Sequence, residues 1–204
     1  GSGEAYDPIS YASIYQRHYN RDPRPGYSKR FHQYLEDNID ASPIEFSLNL
    51  NRKTSNGSIM GASVLGWCKS IESVKLASAA QALSTHSYAT IPYAQIVALS
   101  SYYMINKIGP KHDVIEWLYT QLSDTGVSVK EFLIECMNKK HPGKTSMFAS
   151  SATKLMLYSI PKYNKLSELM TEALQTGGDT DSSMAIMVSI ASMSEEYEND
   201  IPQN

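Results

Sequence analysis

The sequence predicts an all-α fold, a compact orthogonal multi-helix bundle. Three observations predict it: apolar residues recur at helical spacing along most of the chain, no clean alternating strand of useful length occurs, and short turn signals separate the periodic stretches. Asp7-Pro8 is a cap followed by proline at the first helical position, which opens a helix to about Tyr19. A helix over about 27–38 follows the turn residues Asp22-Pro23-Arg24-Pro25-Gly26. The same periodicity predicts helices over 57–68, 70–84, 90–107 and 112–123, with Gly109-Pro110 breaking the last two apart. Asp124-Thr125-Gly126 ends that series. Over 128–139, Val129, Phe132, Leu133, Cys136 and Met137 fall at offsets of three and four, so this helix should bury one face. His141-Pro142-Gly143 interrupts before a helix over 149–158, and Leu166, Leu169, Met170, Ala173 and Leu174 mark one over 165–175. Gly177-Gly178 introduces the last helix, over 181–196. Its Met184, Ala185, Ile186, Met187, Val188, Ile190, Ala191 and Met193 leave little polar face, which predicts first turns central to the core and a solvated acidic end from Glu195 to Asp200.

At 204 residues the chain suffices for one domain with a sizeable core. Gly1-Ser2-Gly3 reads as a cloning scar, leaving 4–204 as that domain. A formal net charge of −3 and a pI near 6.0 provide no basic field for nucleic acid, and no Lys/Arg run exceeds Lys139-Lys140. No apolar stretch reaches the roughly 18–20 residues that span a bilayer, since Gln95, Ser100 and Lys107 interrupt the longest candidate. Neither nucleic acid nor a membrane is therefore expected as a partner. Cys68 and Cys136 lie in apolar helical patterns without C-x-x-C spacing. They read as buried free thiols of a cytoplasmic or otherwise intracellular protein, with a disulfide as the alternative.

The densest chemistry is in Gly177-Gly178-Asp179-Thr180-Asp181-Ser182. Two aspartates one residue apart at a turn can aim both carboxylates at one hard cation, Mg²⁺ or Mn²⁺, with a hydroxyl or water completing an oxygen shell. The paired glycines permit the tight turn. The alternative is simpler, with Asp179 or Asp181 capping the helix that follows. Asn56-Gly57-Ser58 precedes an apolar helix and offers backbone N–H groups to an anion, the alternative being an Asn-Gly turn with Ser58 as cap. His86 ends a helix between Thr85 and Ser87, where a histidine often serves the terminal carbonyls. His18, His32, His112 and His141 have no i, i+4 metal partner and read as surface or packing residues. Two catalytic templates fail: a nucleophile elbow around Ser63 would need glycine where Leu65 stands, and a P-loop at Gly143-Lys144-Thr145 would need glycine where Asn138 stands.

Taken in order, Ser55-Asn56-Gly57-Ser58-Ile59-Met60-Gly61-Ala62-Ser63-Val64-Leu65-Gly66, Leu83-Ser84-Thr85-His86-Ser87 and Gly177 to Ser182 resemble the N-G-(small)-(small)-M-R, T-H and G-G-D-T-D-(S/T) motifs of the ADP-ribosylglycohydrolase family. The resemblance spans about Asp7 to Pro202. It implies an all-α bundle that hydrolyses ADP-ribosyl groups from a protein or small-molecule acceptor with a divalent metal, Mg²⁺ or Mn²⁺. Asp179, Asp181 and Ser182 would hold that metal, while Asn56, Gly57, Ser58 and His86 would hold ADP-ribose or an ADP-ribosylated protein. Departures from the family pattern are Gly61 for arginine, Val64 for proline, and Val188 and Ser192 where the family helix carries glycine. The family's early T-D-D-T segment has no counterpart, since no Asp-Asp pair occurs. The expected fold is therefore N-terminally incomplete, with a separate N-terminal segment as a candidate partner and no catalytic acid assigned. The rival expectation is an inactive ADP-ribose-binding, inhibitory or structural module on the same fold.

Overall fold

Asp7 caps the first helix as predicted: its Oδ1 accepts from the backbone N–H groups of Ile9 and Ser10, each at 2.9 Å, and Pro8 takes the first helical position. The computed structural model describes residues 6–24, 26–49, 53–124 and 126–202. Helices α1 (Pro8–Arg21), α2 (Lys29–Asp37) and α3 (Pro43–Asn49) form a layer with its own small core of Ala12, Tyr19, Leu35 and Phe46. The main body comprises α4 (Gly57–Met60), α5 (Ile71–Thr85), α6 (Ile91–Ile105), α7 (Val114–Gln121), α8 (Val127–Met137), α9 (Ala149–Ser159), α10 (Leu166–Thr176) and α11 (Thr180–Ala191). Helix α1 packs on α5 and so joins the layer to the body. Among the described residues extended pairing is confined to isolated bridges, Lys53 with His86, Ser55 with Phe148 and Lys165 with Glu198, so the fold class is all-α as the sequence predicts.

Helix α6 lies deepest. Ile96, Val97, Ala98 and Leu99 are all fully buried, as expected of a helix apolar on every side. Its two core serines enter paired, Ser100 Oγ donating to the Ile96 carbonyl at 2.8 Å and Ser101 Oγ to Val97 at 3.3 Å. Helix α11 packs against α6, α9 and α10 through Ile186, Met187 and Ile190, yet Ala185 is exposed. The last helix therefore shares the core without being its centre.

Three segments differ from the sequence expectation. Helix α3 is additional, and a capping box builds it: Ser42 N–H and Oγ donate to Glu45 Oε2 at 3.0 and 2.8 Å, while Glu45 N–H donates to Ser42 Oγ at 3.3 Å. The stretch 57–68 is not one helix. It breaks after Met60 and resumes as a 3₁₀ turn over Ser63–Trp67, because Gly61 and Gly66 weaken the helix and Gly66 lies directly on α6. A Cβ on Gly66 would sit 2.5 Å from Ser101 Cβ and 2.7 Å from the Tyr102 nitrogen. Helix α11 stops at Ala191, and the chain turns back so that Tyr197 is buried with its hydroxyl donating to the Ile160 carbonyl.

The acidic end is accordingly pinned to the body. Glu195 pairs with Lys107 at 2.8 Å, Glu198 with Lys165 at 3.0 Å, and Asp200 accepts from the N–H and hydroxyl of Ser167 at 3.0 and 2.5 Å. Cys68 and Cys136 are free and partly buried, and burial pushes the Cys136 thiol up to about 12. No helix among the described residues is long and apolar enough to cross a membrane.

Candidate functional site

Gly177 and Gly178 provide the turn into α11 with φ of 71° and 90°, left-handed values that glycine adopts without strain. The turn is clamped from outside. Thr145 N–H and Oγ1 both donate to the Gly177 carbonyl, at 3.1 and 2.8 Å, and a Cβ on Gly178 would lie 1.9 Å from the Thr145 carbonyl oxygen. The clamp continues along the chain: Ser55 bridges to Phe148, Ala149 N–H donates to the Thr54 carbonyl at 3.1 Å, and Asn56 N–H donates to the Met147 carbonyl at 2.9 Å. Residues 145–149 thus form a strap that touches both the 54–56 segment and the glycine turn.

Asp179 takes the N-cap position of α11, but its side chain makes no capping bond. Its Oδ2 instead accepts from Asn56 Nδ2 at 2.6 Å, across 123 residues of chain. Asp181 is exposed in the first turn. The hydrogen bond with the Asp179 carboxyl, and then the backbone N–H groups of Ser182 and of Asp181 itself, hold the Asp181 carboxyl below the usual carboxylate range. The Asp179 side chain is therefore committed to Asn56 rather than to the helix cap.

The ligand-side residues are engaged more deeply than their motif suggests. Ser58 is fully buried and its hydroxyl donates back to the Ser55 carbonyl at 3.0 Å. Asn56 is 3 % exposed; its Nδ2 also donates to the Ser146 carbonyl at 3.1 Å, and its Oδ1 is buried without a partner among the described residues. His86 caps the end of α5 through its backbone N–H, and its ring lies between two hydroxyls, Nδ1 at 2.8 Å from Thr85 Oγ1 and Nε2 at 2.9 Å from Ser55 Oγ. Burial lowers its pKa to about 4, so the ring is neutral at ordinary pH. Gly57 is exposed, and a Cβ there would come within 3.1 Å of the His86 ring. That glycine makes room for the histidine. What the turn presents outward is its backbone at Gly57, at the start of a helix of only four residues.

Ser182 is 7 % exposed with its hydroxyl directed at Met60 Sδ, 3.5 Å away, which joins α11 to α4. The fold therefore brings together Asn56, Asp179, Asp181 and Ser182, and sets His86 beside Gly57. The side chains of Asp179, Asp181 and Ser182 are hard oxygen donors of the kind that suit Mg²⁺ or Mn²⁺, which commonly keep several waters and use one or two carboxylates. Among the described residues no group of three His, Cys, Asp or Glu side chains is placed to hold a metal.

The strap was not visible in the sequence. Its side-chain bond from Asn56 spans 90 residues, and no periodicity marks it. It is anchored upstream by His141, whose Nδ1 accepts from the Gly143 N–H at 3.0 Å while Nε2 lies 2.8 Å from Glu172 Oε1. Burial pushes the Glu172 carboxyl up, but bonds from Tyr163 and His141 and the charge of Lys162 outweigh it and hold the group below its usual range. His141 thus has a structural partner on α10 that its sequence spacing did not reveal.

No curated protein matches the chain significantly. The family model described as ADP-ribosylglycohydrolase matches residues 2–204, so the chain belongs to the ADP-ribosylglycohydrolase family.

Proposed function

We propose that the chain is a divalent-metal-dependent hydrolase of ADP-ribosyl groups attached to a protein or small-molecule acceptor. The observation that carries this reading is the behaviour of Asp179: at a helix N-cap it makes no capping bond, its carboxylate accepts from Asn56 instead, and the exposed Asp181 carboxylate stands two residues on in the same turn. That arrangement supports a cation site at Asp179 and Asp181, with Ser182 adding its hydroxyl on rotation away from Met60. A bound Mg²⁺ or Mn²⁺ would supply polarisation of ribose oxygens and an acidified water. Asp181, partly committed to backbone N–H groups, would keep its carboxylate aimed at the mouth of the turn. The outward backbone at Gly57 would meet the ligand's phosphates, while neutral His86 stiffens that wall through Ser55 and Thr85.

A second reading is a non-catalytic ADP-ribose-binding module. It is favoured by the small count of acidic ligands and by the internal engagement of Ser58 and His86. One experiment separates the two: release of free ADP-ribose from an ADP-ribosylated protein, with and without Mg²⁺ or Mn²⁺, for the wild type and Asp181→Asn. Metal-dependent release that disappears in Asp181→Asn while helicity is retained is the expected result. Release unaffected by Asp181→Asn or by chelator removes the metal reading. Calorimetric binding of ADP-ribose without release under either metal establishes the module.

A further inference from the structure

We propose that Asn56 is a positioning residue for the Asp179 carboxylate, acting through its buried carboxamide without touching cation or ligand. The inference rests on the reading in which Asp179 and Asp181 hold a divalent cation. Asn56 Nδ2 has two hydrogens and two acceptors to meet, the Ser146 carbonyl at 3.1 Å and Asp179 Oδ2 at 2.6 Å. Rotating the carboxamide would set its oxygen against a carbonyl and a carboxylate, so the orientation is dictated by what it faces. The other end bears the cost: Oδ1 is buried with no partner among the described residues, an arrangement that costs stability. A side chain kept for packing alone has no reason to carry an unmatched acceptor, whereas one that must keep a donor on Asp179 does.

The backbone around Asn56 is held independently of Asp179. Its N–H donates to the Met147 carbonyl at 2.9 Å, and its neighbour Ser55 is bridged to Phe148. Asp179 sits between Gly178, at φ 90°, and the first turn of α11, where a short side chain could equally turn inward to cap. The fixed amide therefore decides the direction of the carboxylate, holding it away from the cap. Through Ser146 the same amide ties that direction to the strap.

The test is a Mn²⁺ titration of the full chain followed by electron paramagnetic resonance, with thermal unfolding measured alongside. Asn56→Leu, similar in size but without a donor, should weaken Mn²⁺ binding about tenfold or more, the usual effect of losing a partner that orients a metal ligand. Val97→Ala, a core truncation on α6, should lower the unfolding midpoint and leave Mn²⁺ affinity unchanged. Where Asn56→Leu does not fold, Asn56→Ala is measured in its place. Equal loss of affinity in Val97→Ala, or failure of both Asn56 variants to fold, would make the role merely structural. Wild-type affinity in Asn56→Leu, with binding abolished in Asp181→Asn, would overturn the positioning role and leave the cation reading intact. Absence of Mn²⁺ binding by the wild type, or binding indifferent to Asp181→Asn, would remove the cation reading and this inference with it.

Discussion

Lowering the pH should destabilise the protein through His86. Folding places the ring between Thr85 Oγ1 and Ser55 Oγ and shifts its pKa from 6.5 to about 4 by burial. A folded pKa below the unfolded one means that the unfolded chain binds the proton more readily. The contribution is therefore complete above 6.5 and is lost as pH falls from there toward 4. Between about pH 7.5 and about pH 5 the expected loss is ~2 kcal/mol, approaching a limit of ~3 kcal/mol at lower pH. Urea unfolding of the wild type and His86→Gln across this window isolates the effect. Glutamine keeps an amide within reach of Ser55 but does not titrate, so the wild type should lose stability relative to the variant by that amount. Ring nitrogen shifts followed by NMR should place the His86 midpoint near 4. A stability difference that is flat across the window, or a ring that titrates near 6.5, would refute the burial argument.

The two glycines of the turn should respond differently to alanine. Gly177→Ala meets nothing within 4 Å at φ 71° and should cost about 1–3 kcal/mol from backbone strain, whereas Gly178→Ala adds a clash at 1.9 Å with Thr145 and should cost more than that in thermal unfolding. Equal costs would show that the strap yields freely. Glu172→Ala removes the shared partner of Tyr163, His141 and Lys162 and should cost about 1–3 kcal/mol at neutral pH, since His141 and Lys162 are left near solvent. Because the folded carboxyl is held below its unfolded range, the gap between wild type and variant should shrink as pH falls through the carboxylate range. A gap independent of pH in chemical denaturation would contradict the assignment.

Caps and the helical period were legible in the chain, although the single helix expected over 57–68 breaks after Met60. Helix α1 begins where Asp7-Pro8 places it, and α8 buries Val129, Phe132 and Leu133, because caps and a 3.6-residue period act within one or two turns. The capping box at Ser42 to Glu45 belongs to the same class and was legible, although helix α3 was not among the expected elements. The glycine turn and the aspartates were likewise visible as a site candidate. What the residue order could not show was whether the Asp179 side chain caps its helix, or which internal bonds Ser58, His86 and Asn56 make. Those choices depend on partners far away in sequence: Asn56 beside Asp179, His86 beside Ser55, Thr145 against Gly177 and Gly66 against Ser101. A short polar side chain forms whichever hydrogen bond tertiary packing brings within about 3 Å, and packing of separate helices sets that distance, which local propensity does not encode.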